Sequence, residues 1–578
     1  MPGPDAFRQE VLRHRFAAVA NEMSLALQRA AYSTNIKTRR DHSCAVVDPQ
    51  GRIVAQSFSQ PAHLGTLAHF VPRILAAYGR DNLRPGDGIA CNDGHLGGIH
   101  LNDVATVVPV FHGGRIVAYV ATMAHHLDVG GGTPGSIGLH EEHIQEGLII
   151  PPTLLQRDGE MDEPILRLIL KNVRAPRETG GDFRAQFAAS ATGARRVLEI
   201  VESEGAAGMA AAIEGIFDYT ERRVRSAVAL LPHVTVSAED YLDGDGMTDE
   251  PIRIAVSVTL GDDGAVFDLT GTDPQRPSSI NTTTAMTFAS CAYAFRVHLD
   301  PDIPVNDGFY RMVKVVAPPG TVATSVAPAA IGAGSDTGMR VCETALRALA
   351  DALPEASMGD AKGTVCNVAI GGVDPRTGRY FIFYESIAGG YGGRARQDGI
   401  DAIQPHFQNT ENAPIEESEA HYPIRILRYG LVPDSEGAGR FRGGLGLRRD
   451  YVAEGDVTLS IMAERSTFAP QGLFGGGPGR SAHFIVNPGP RQHRHGSKFS
   501  VRVPAGDVIS LQLGGGGGYG SPLDRDPEAV AADVRSRRVT RRRAGAVYGV
   551  AIDRAGRVDV AGTAARRAKL RATPEAPR

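Results

Sequence analysis

Apolar residues at three- and four-residue steps open the chain. Leu12, Phe16, Val19, Met23 and Leu27 share one face and predict an amphipathic helix over 7–31, closed by Ser33-Thr34-Asn35. The pattern then alternates. Ser43–Asp48 and Arg52–Ser57 read as strands around a turn at Pro49-Gln50-Gly51. A second hairpin runs along Val104–Phe111, turns at His112-Gly113-Gly114 and returns along Arg115–His125. Helical patterns fill 165–230. From 252 the period drops to two again: Ile252, Ile254, Val256, Val258 and Leu260 alternate, and Gly261-Asp262-Asp263-Gly264 turns the chain. Val341, Ala345, Leu346, Leu349 and Leu353 predict a helix around 338–353. Between 430 and 520, strand-like stretches alternate with glycine runs: FRGGLGL, GLFGGGPG and LGGGGGYGSP. The elements predict a mixed α+β fold. A helix-rich N-terminal part with hairpins spans 1–240, a strand-rich and glycine-rich C-terminal part spans 241–562, and 563–578 is a flexible tail.

Composition narrows the class. The 578 residues include 69 Gly and 36 Pro but no Trp, which suits a loop-rich enzyme rather than a helical bundle. Lys+Arg is 61 and Asp+Glu is 65, and no region is strongly basic, which lowers nucleic acid as a partner. The one basic cluster, Arg535, Arg537, Arg538, Arg541, Arg542 and Arg543, reads as a solvated helix or loop edge. Five scattered cysteines without a C-x-x-C pair point to a reducing compartment. The polar start MPGPDAFRQE has no apolar signal core, and no apolar run approaches the roughly 18–20 residues that span a bilayer. A cytoplasmic protein with no membrane association is expected.

Three segments concentrate hard ligands: RRDHSCA (39–45) with Asp41, NDGHLGGIHLND (92–103) with His95, His100 and Asp103, and AHHLDVGGG (124–132) with His125, His126 and Asp128. A regular second hairpin would set residue 126 opposite about 100 and residue 123 opposite about 103. That folds His125 and His126 back onto His100 and Asp103. One slip of register exchanges the inward histidine, so spacing leaves both open. Imidazoles plus carboxylates without thiolate suit Zn, Mn or Fe. Gly97-Gly98 and Gly130–Gly132 flank the ligands and would leave room for substrate.

The ordered motifs resemble the hydantoinase B/oxoprolinase family. That family includes the B-type components of ATP-dependent N-methylhydantoinases, the related halves of 5-oxoprolinase, and metal-binding subunits of acetone and acetophenone carboxylases. The resemblance covers about 7–550. It rests on EVLRHRFAAVANEM, the three ligand segments, QEGLIIPP, LDPDIPVNDG, HFQNTENAPIEESE and GAGRFRGGLGL. It implies a divalent ion on Asp41, His100, Asp103 and His125, with His126 near the ligands or facing substrate. His42 stands where many relatives have an aromatic residue, and Gly94-His95 where Pro-Tyr is common. Both are expected beside the metal, where they would alter substrate preference.

No G-x-x-x-x-G-K-[ST] is present, and LGGGGGYG (513–520) reads as a wide turn or bulge between strands. This agrees with what the resemblance implies: ATP bound by a hydantoinase A-like partner, in a hetero-oligomer such as a dimer of heterodimers. The partner would phosphorylate the carbonyl oxygen or enol of its small-molecule substrate, and this chain would hydrolyse the activated cyclic amide. His126 or Glu146 would move protons, and Arg39 and Arg40 would hold a phosphate or carboxylate. In HFQNTENAPIEESE, His406, Asn409, Asn412, Glu416 and Glu419 line the substrate pocket, form a subunit contact, or serve only turn chemistry. GGYGGRARQDG (389–399) reads as a loop able to cover a site, or as a connector. The alternatives are a ketone carboxylase subunit and a non-catalytic scaffold for the A-type partner.

Overall fold

The structure, a computed structural model, describes residues 4–572. Helix takes 34% and strand 25%, in open sheets, so the α+β expectation holds. The first helix spans Pro4–Ala30, and its predicted inward face, Leu12, Phe16, Val19, Met23 and Leu27, is buried. It packs on a long helix, Pro176–Glu204. Both cover a seven-stranded sheet.

That sheet contains β1 (His42–Val47), β2 (Ile53–Gln56), β3 (Gly88–Cys91), β4 (Asp103–His112), β5 (Arg115–His125), β6 (Thr153–Arg157) and β7 (Glu160–Met161), in the order β2-β1-β5-β4-β3-β6-β7. Its hairpin β4–β5 departs from the regular register. The turn pairs His112 with Arg115, one residue beyond the regular expectation, and a bulge between Val110 and Phe111 adds one more, so Asp103 faces His125 rather than residue 123. A helix from Pro61 to Tyr78 lies on the other face, with Leu67, Phe70, Val71 and Ile74 buried against the core.

A second sheet holds β8 (Val234–Leu242), β9 (Ile252–Gly261), β10 (Gly264–Asp268) and β11 (Val313–Val316), ordered β11-β10-β9-β8. The predicted alternation in β9 is borne out, with Ile252, Ile254, Val256, Val258 and Leu260 all buried. Helices Thr284–Arg296 and Gly334–Ala350 join this sheet to the first. The 240/241 division falls inside β8, which pairs with β9 along its length. One apolar cluster draws residues from Ala45 to Met462, so the two parts share a core.

Strands β12 (Asn367–Val373), β13 (Tyr380–Ser386), β14 (Ile424–Leu431), β15 (Leu447–Ala453), β16 (Val457–Met462), β17 (His483–Val486), β18 (His493–His495), β19 (Lys498–Val503) and β20 (Val508–Gln512) build two further sheets. Their orders are β13-β12-β16-β19 and β14-β15-β20-β17-β18. Residues 514–518 do not form a wide turn. They run through the middle of a bundle of glycine-rich segments, joined backbone to backbone. Gly390 and Gly393 donate to the carbonyls of Gly514 and Gly517, Gly437 donates to Gly516, and Gly518 donates to Gly477. GGYGGRARQDG is part of this bundle and not a free cover. The bundle requires glycine because a Cβ on Gly516 would lie 2.1 Å from the Tyr391 carbonyl oxygen.

The expected flexible tail is helical from Val560 to Ala572. Thr563 is buried, its hydroxyl accepts from Ala551 N–H, and the Arg567 guanidinium donates to the Tyr548 carbonyl. The rest of the tail lies outside the described residues. Among the described residues, no helix is long and apolar enough to cross a membrane.

Gly516→Ala should destabilise the protein by about 1–3 kcal/mol or more, as overpacking against a fixed backbone does. Gly430→Ala, where a Cβ meets nothing within 4 Å, should shift stability by no more than about 0.5 kcal/mol. Chemical denaturation of both variants checks the contrast.

Candidate metal centre

The ends of three strands and one helix converge on a small cavity. Asp41 immediately precedes β1, Asp103 begins β4 and His125 ends β5. Backbone bonds fix their relation: His125 N–H donates to the Asp41 carbonyl at 3.1 Å, and Asp103 N–H donates to the His100 carbonyl at 3.1 Å. Because β1 and β4 flank β5, the sheet brings both carboxylates to the same histidine. The bulge is part of this arrangement, since it puts Asp103 directly across from His125.

The side chains close in tightly. His125 Nδ1 lies 3.3 Å from Asp103 Oδ1 and 4.0 Å from Asp41 Oδ2. His100 Nε2 lies 3.4 Å from Asp103 Oδ2. His63 completes the group, with Nε2 3.4 Å from Asp103 Oδ1 and 3.7 Å from Asp41 Oδ1. All five residues are buried and line one cavity of about 20 Å³. Tyr384 of β13 stacks on His125 with ring centroids 4.6 Å apart, fixing that imidazole.

Burial pushes the Asp103 carboxyl up, but His100, His63 and His125 outweigh it and hold it well below the usual carboxylate range. Burial pushes His63 down, and the facing Asp103 and Asp41 more than reverse this. Burial lowers His100 despite Asp103.

The donor set fits a divalent cation. Asp41 Oδ1 and Asp103 Oδ1 are buried without a hydrogen-bond partner, a costly state for carboxylates that a cation relieves. The contacts of 3.3–3.4 Å are longer than a charge-assisted hydrogen bond of about 2.7–2.9 Å. They match the edge, about 3.3 Å, of a tetrahedron of donors around an ion at about 2.0–2.1 Å. A second buried acidic group, Asp240, Glu343 and Asp360, differs. Arg465 Nη2 sits 3.0, 2.5 and 3.0 Å from these three carboxylates, so a guanidinium already fills the cation position.

Other expected site residues lie elsewhere. His126 points to the opposite side of the sheet, with Nε2 3.0 Å from Gln186 Oε1 and its ring against Phe183. Successive strand side chains alternate, so the residue after an inward His125 cannot face the same cavity. Glu146 accepts from Ile331 and Gly332 N–H and lies 3.1 Å from His143; it ties loops together away from the cavity. Arg39 is buried behind β13, donating to Asn35 Oδ1, the Tyr384 carbonyl and Ser386 Oγ. Arg40 is exposed and pairs with Glu411 at 3.1 Å. His42 faces the first helix through Ser24, and His95 contacts the Ala329 carbonyl, so neither lines the cavity. Gly97-Gly98 and Gly130–Gly132 leave no room for substrate there. A Cβ on Gly130 would lie 2.0 Å from Asn172 O, and the others also back onto protein.

His63 is absent from the ligand segments read in the sequence. SQPAHLGT carries a signal only in retrospect: Pro61 starts the helix, and its first turn carries His63 to the cavity. Of HFQNTENAPIEESE, Phe407 and Gln408 line the cavity. His406 bonds Glu343, Asn412 bonds the Ser386 carbonyl, and Glu419 caps Ile426 N–H.

This geometry defines a class: a mixed α+β protein with a buried imidazole–carboxylate group able to hold a divalent cation. The family follows from comparison. The Hydantoinase B/oxoprolinase family model matches residues 5–522, and the chain belongs to that family. It is 32% identical to the B-type component of a putative D-/L-hydantoinase from Pseudomonas sp. (strain NS671), over 96% of each chain. The crystal structure of ATP-dependent caprolactamase from Pseudomonas jessenii is similar at 28% identity and TM-score 0.91, covering 98% of this chain and 100% of that one. A nucleotide-free acetone carboxylase structure, 22% identical with TM-score 0.91, covers 98% of this chain and 83% of its own and shares the fold. A further relative, 31% identical over 98% of this chain and 99% of its own, is named as the beta subunit of a caprolactamase from Pseudomonas jessenii.

Metal analysis should find about one divalent ion per chain in wild type and in His126→Ala. His100→Ala and His63→Ala should lose or weaken it. Full metal content in both of the latter would refute the assignment.

Proposed function

We propose that this chain is the metal-containing B-type component of an ATP-dependent cyclic-amide hydrolase, working on a carbonyl-phosphorylated lactam or hydantoin made by an A-type partner. The observation that carries this reading is the buried group of Asp41, His63, His100, Asp103 and His125, with two orphaned carboxylate oxygens, in a chain of this family. Its ligand chemistry suits Zn, Mn or Fe. A divalent ion held there supplies Lewis acidity, which lowers the pKa of water and polarises a carbonyl oxygen.

The chain's own residues supply the rest. Asp41 and Asp103 bring two negative charges, and His63, His100 and His125 fix the remaining directions. Tyr384 locks the His125 ring by stacking. Burial excludes bulk water, so the O-phosphorylated imidate meets a held water rather than solvent. Water adds to the phosphorylated carbonyl carbon, the ring C–N bond breaks as the nitrogen takes a proton from that water, and a second water hydrolyses the resulting open-chain acyl phosphate to carboxylate and phosphate. His126 and Glu146, committed to other contacts, are left out of the reaction.

ATP consumption should require the A-type partner, and the pair should open 5-oxoproline, hydantoin or ε-caprolactam without bicarbonate. Asp103→Asn should lower turnover by at least about 100-fold, more than the loss of an outer partner of a metal ligand. Dependence on bicarbonate would identify a carboxylase. Full activity of Asp103→Asn would leave only a scaffold.

A further inference from the structure

A cation accounts for the carboxylates and imidazoles of the cavity but not for its neutral polar lining. Gln60, Ser335, Asn367 and Gln408 also line it. Each keeps a buried polar atom without a partner: Gln60 Oε1, Ser335 Oγ, Asn367 Nδ2 and Gln408 Oε1. Native proteins leave few such atoms, because each forfeits its hydration for nothing. Four around one cavity indicate a ligand with complementary donors and acceptors.

The amides are held in place. Tyr384 O–H donates to Asn367 Oδ1 at 2.5 Å, which turns Nδ2 away from Tyr384 as a free donor. Gln60 Nε2 lies 3.4 Å from His63 Nε2, leaving Oε1 as a free acceptor. Gln408 follows Phe407, whose carbonyl accepts from Ala62 N–H at 3.0 Å. His406, on its other side, is anchored to Glu343 Oε1 at 3.3 Å. Arg465 in turn pins Glu343.

We propose that Gln60, Asn367 and Gln408 read the reactant's amide-derived group, with the two glutamine oxygens accepting the N–H that the ring nitrogen keeps when the carbonyl oxygen is phosphorylated, and Asn367 Nδ2 donating to that oxygen. The proposal deepens the hydrolase reading and rests on it for the identity of the ligand. About 20 Å³ admits an ion or a water but not a ring. The reactant therefore reaches these groups only once the cavity has widened.

The test is calorimetric titration of the metal-loaded full chain with 2-piperidone and N-methyl-2-piperidone, which differ only at the N–H. Wild type should bind the N–H lactam about tenfold more tightly. Gln408→Met, similar in volume but unable to bond, and Gln60→Ala should each bring the ratio toward one, with metal content and melting temperature unchanged. A purely structural role would not alter that ratio. Equal affinity in wild type, no binding of either lactam, or an unchanged ratio in both variants would overturn the proposal. Absence of ATP-dependent ring opening with the preference intact would count against the hydrolase reading alone.

Discussion

Two carboxylates, Asp41 and Asp103, are buried side by side, and much of the structure follows from making that tolerable. A buried carboxylate without a positive partner costs several kcal/mol, and two together cost more. Three imidazoles answer them from three directions: His63 from a helix start, His100 from a loop, His125 from a strand end. Each comes from a separate element because no single helix or strand presents five ligands to one point. The four bonded strands β2-β1-β5-β4 supply the frame, and the bulge in β4–β5 sets its last adjustment.

The C-terminal part is bound into the same centre. Strands β12 and β13 contribute Asn367, Tyr384 and Ser386 to the cavity wall. Behind them, Arg449 and Tyr451 hold Glu385, and Arg465 gathers Asp240, Glu343 and Asp360. These charges are answered within the protein, so they stiffen the wall without competing for a cation. The glycine bundle around 514–518 does the same with backbone alone: without side chains the segments approach until the N–H groups of residues 515–518 each find a carbonyl.

Much is legible in the sequence. The inward faces of the first helix and of β9, both hairpins, and the cluster of Asp41, His100, Asp103 and His125 can all be read from periodicity, spacing and family motifs. His126 looks like a site residue because adjacency in sequence stands in for adjacency in space. Strand alternation reverses that. Glu146, Arg39 and Arg40 have the right chemistry, yet their partners are chain atoms far away in sequence: Ile331, Tyr384 and Glu411. Gln60, His63 and Gln408 carry no local signal, since a lone histidine or glutamine looks alike in a core, a surface or a site.

By itself the sequence determined the periodic elements and the family, because each is encoded in local spacing or ordered motifs. It also determined the hard-ligand chemistry, because four of the donors sit in compact segments. Only the tertiary structure decided how the hairpin registers, that His63 joins the ligands and which acidic cluster is free for a cation. It also decided that glycine serves close chain packing rather than access to the metal. Those outcomes depend on a bulge, on strand alternation and on side chains brought together from distant positions, and local sequence contains none of these distances.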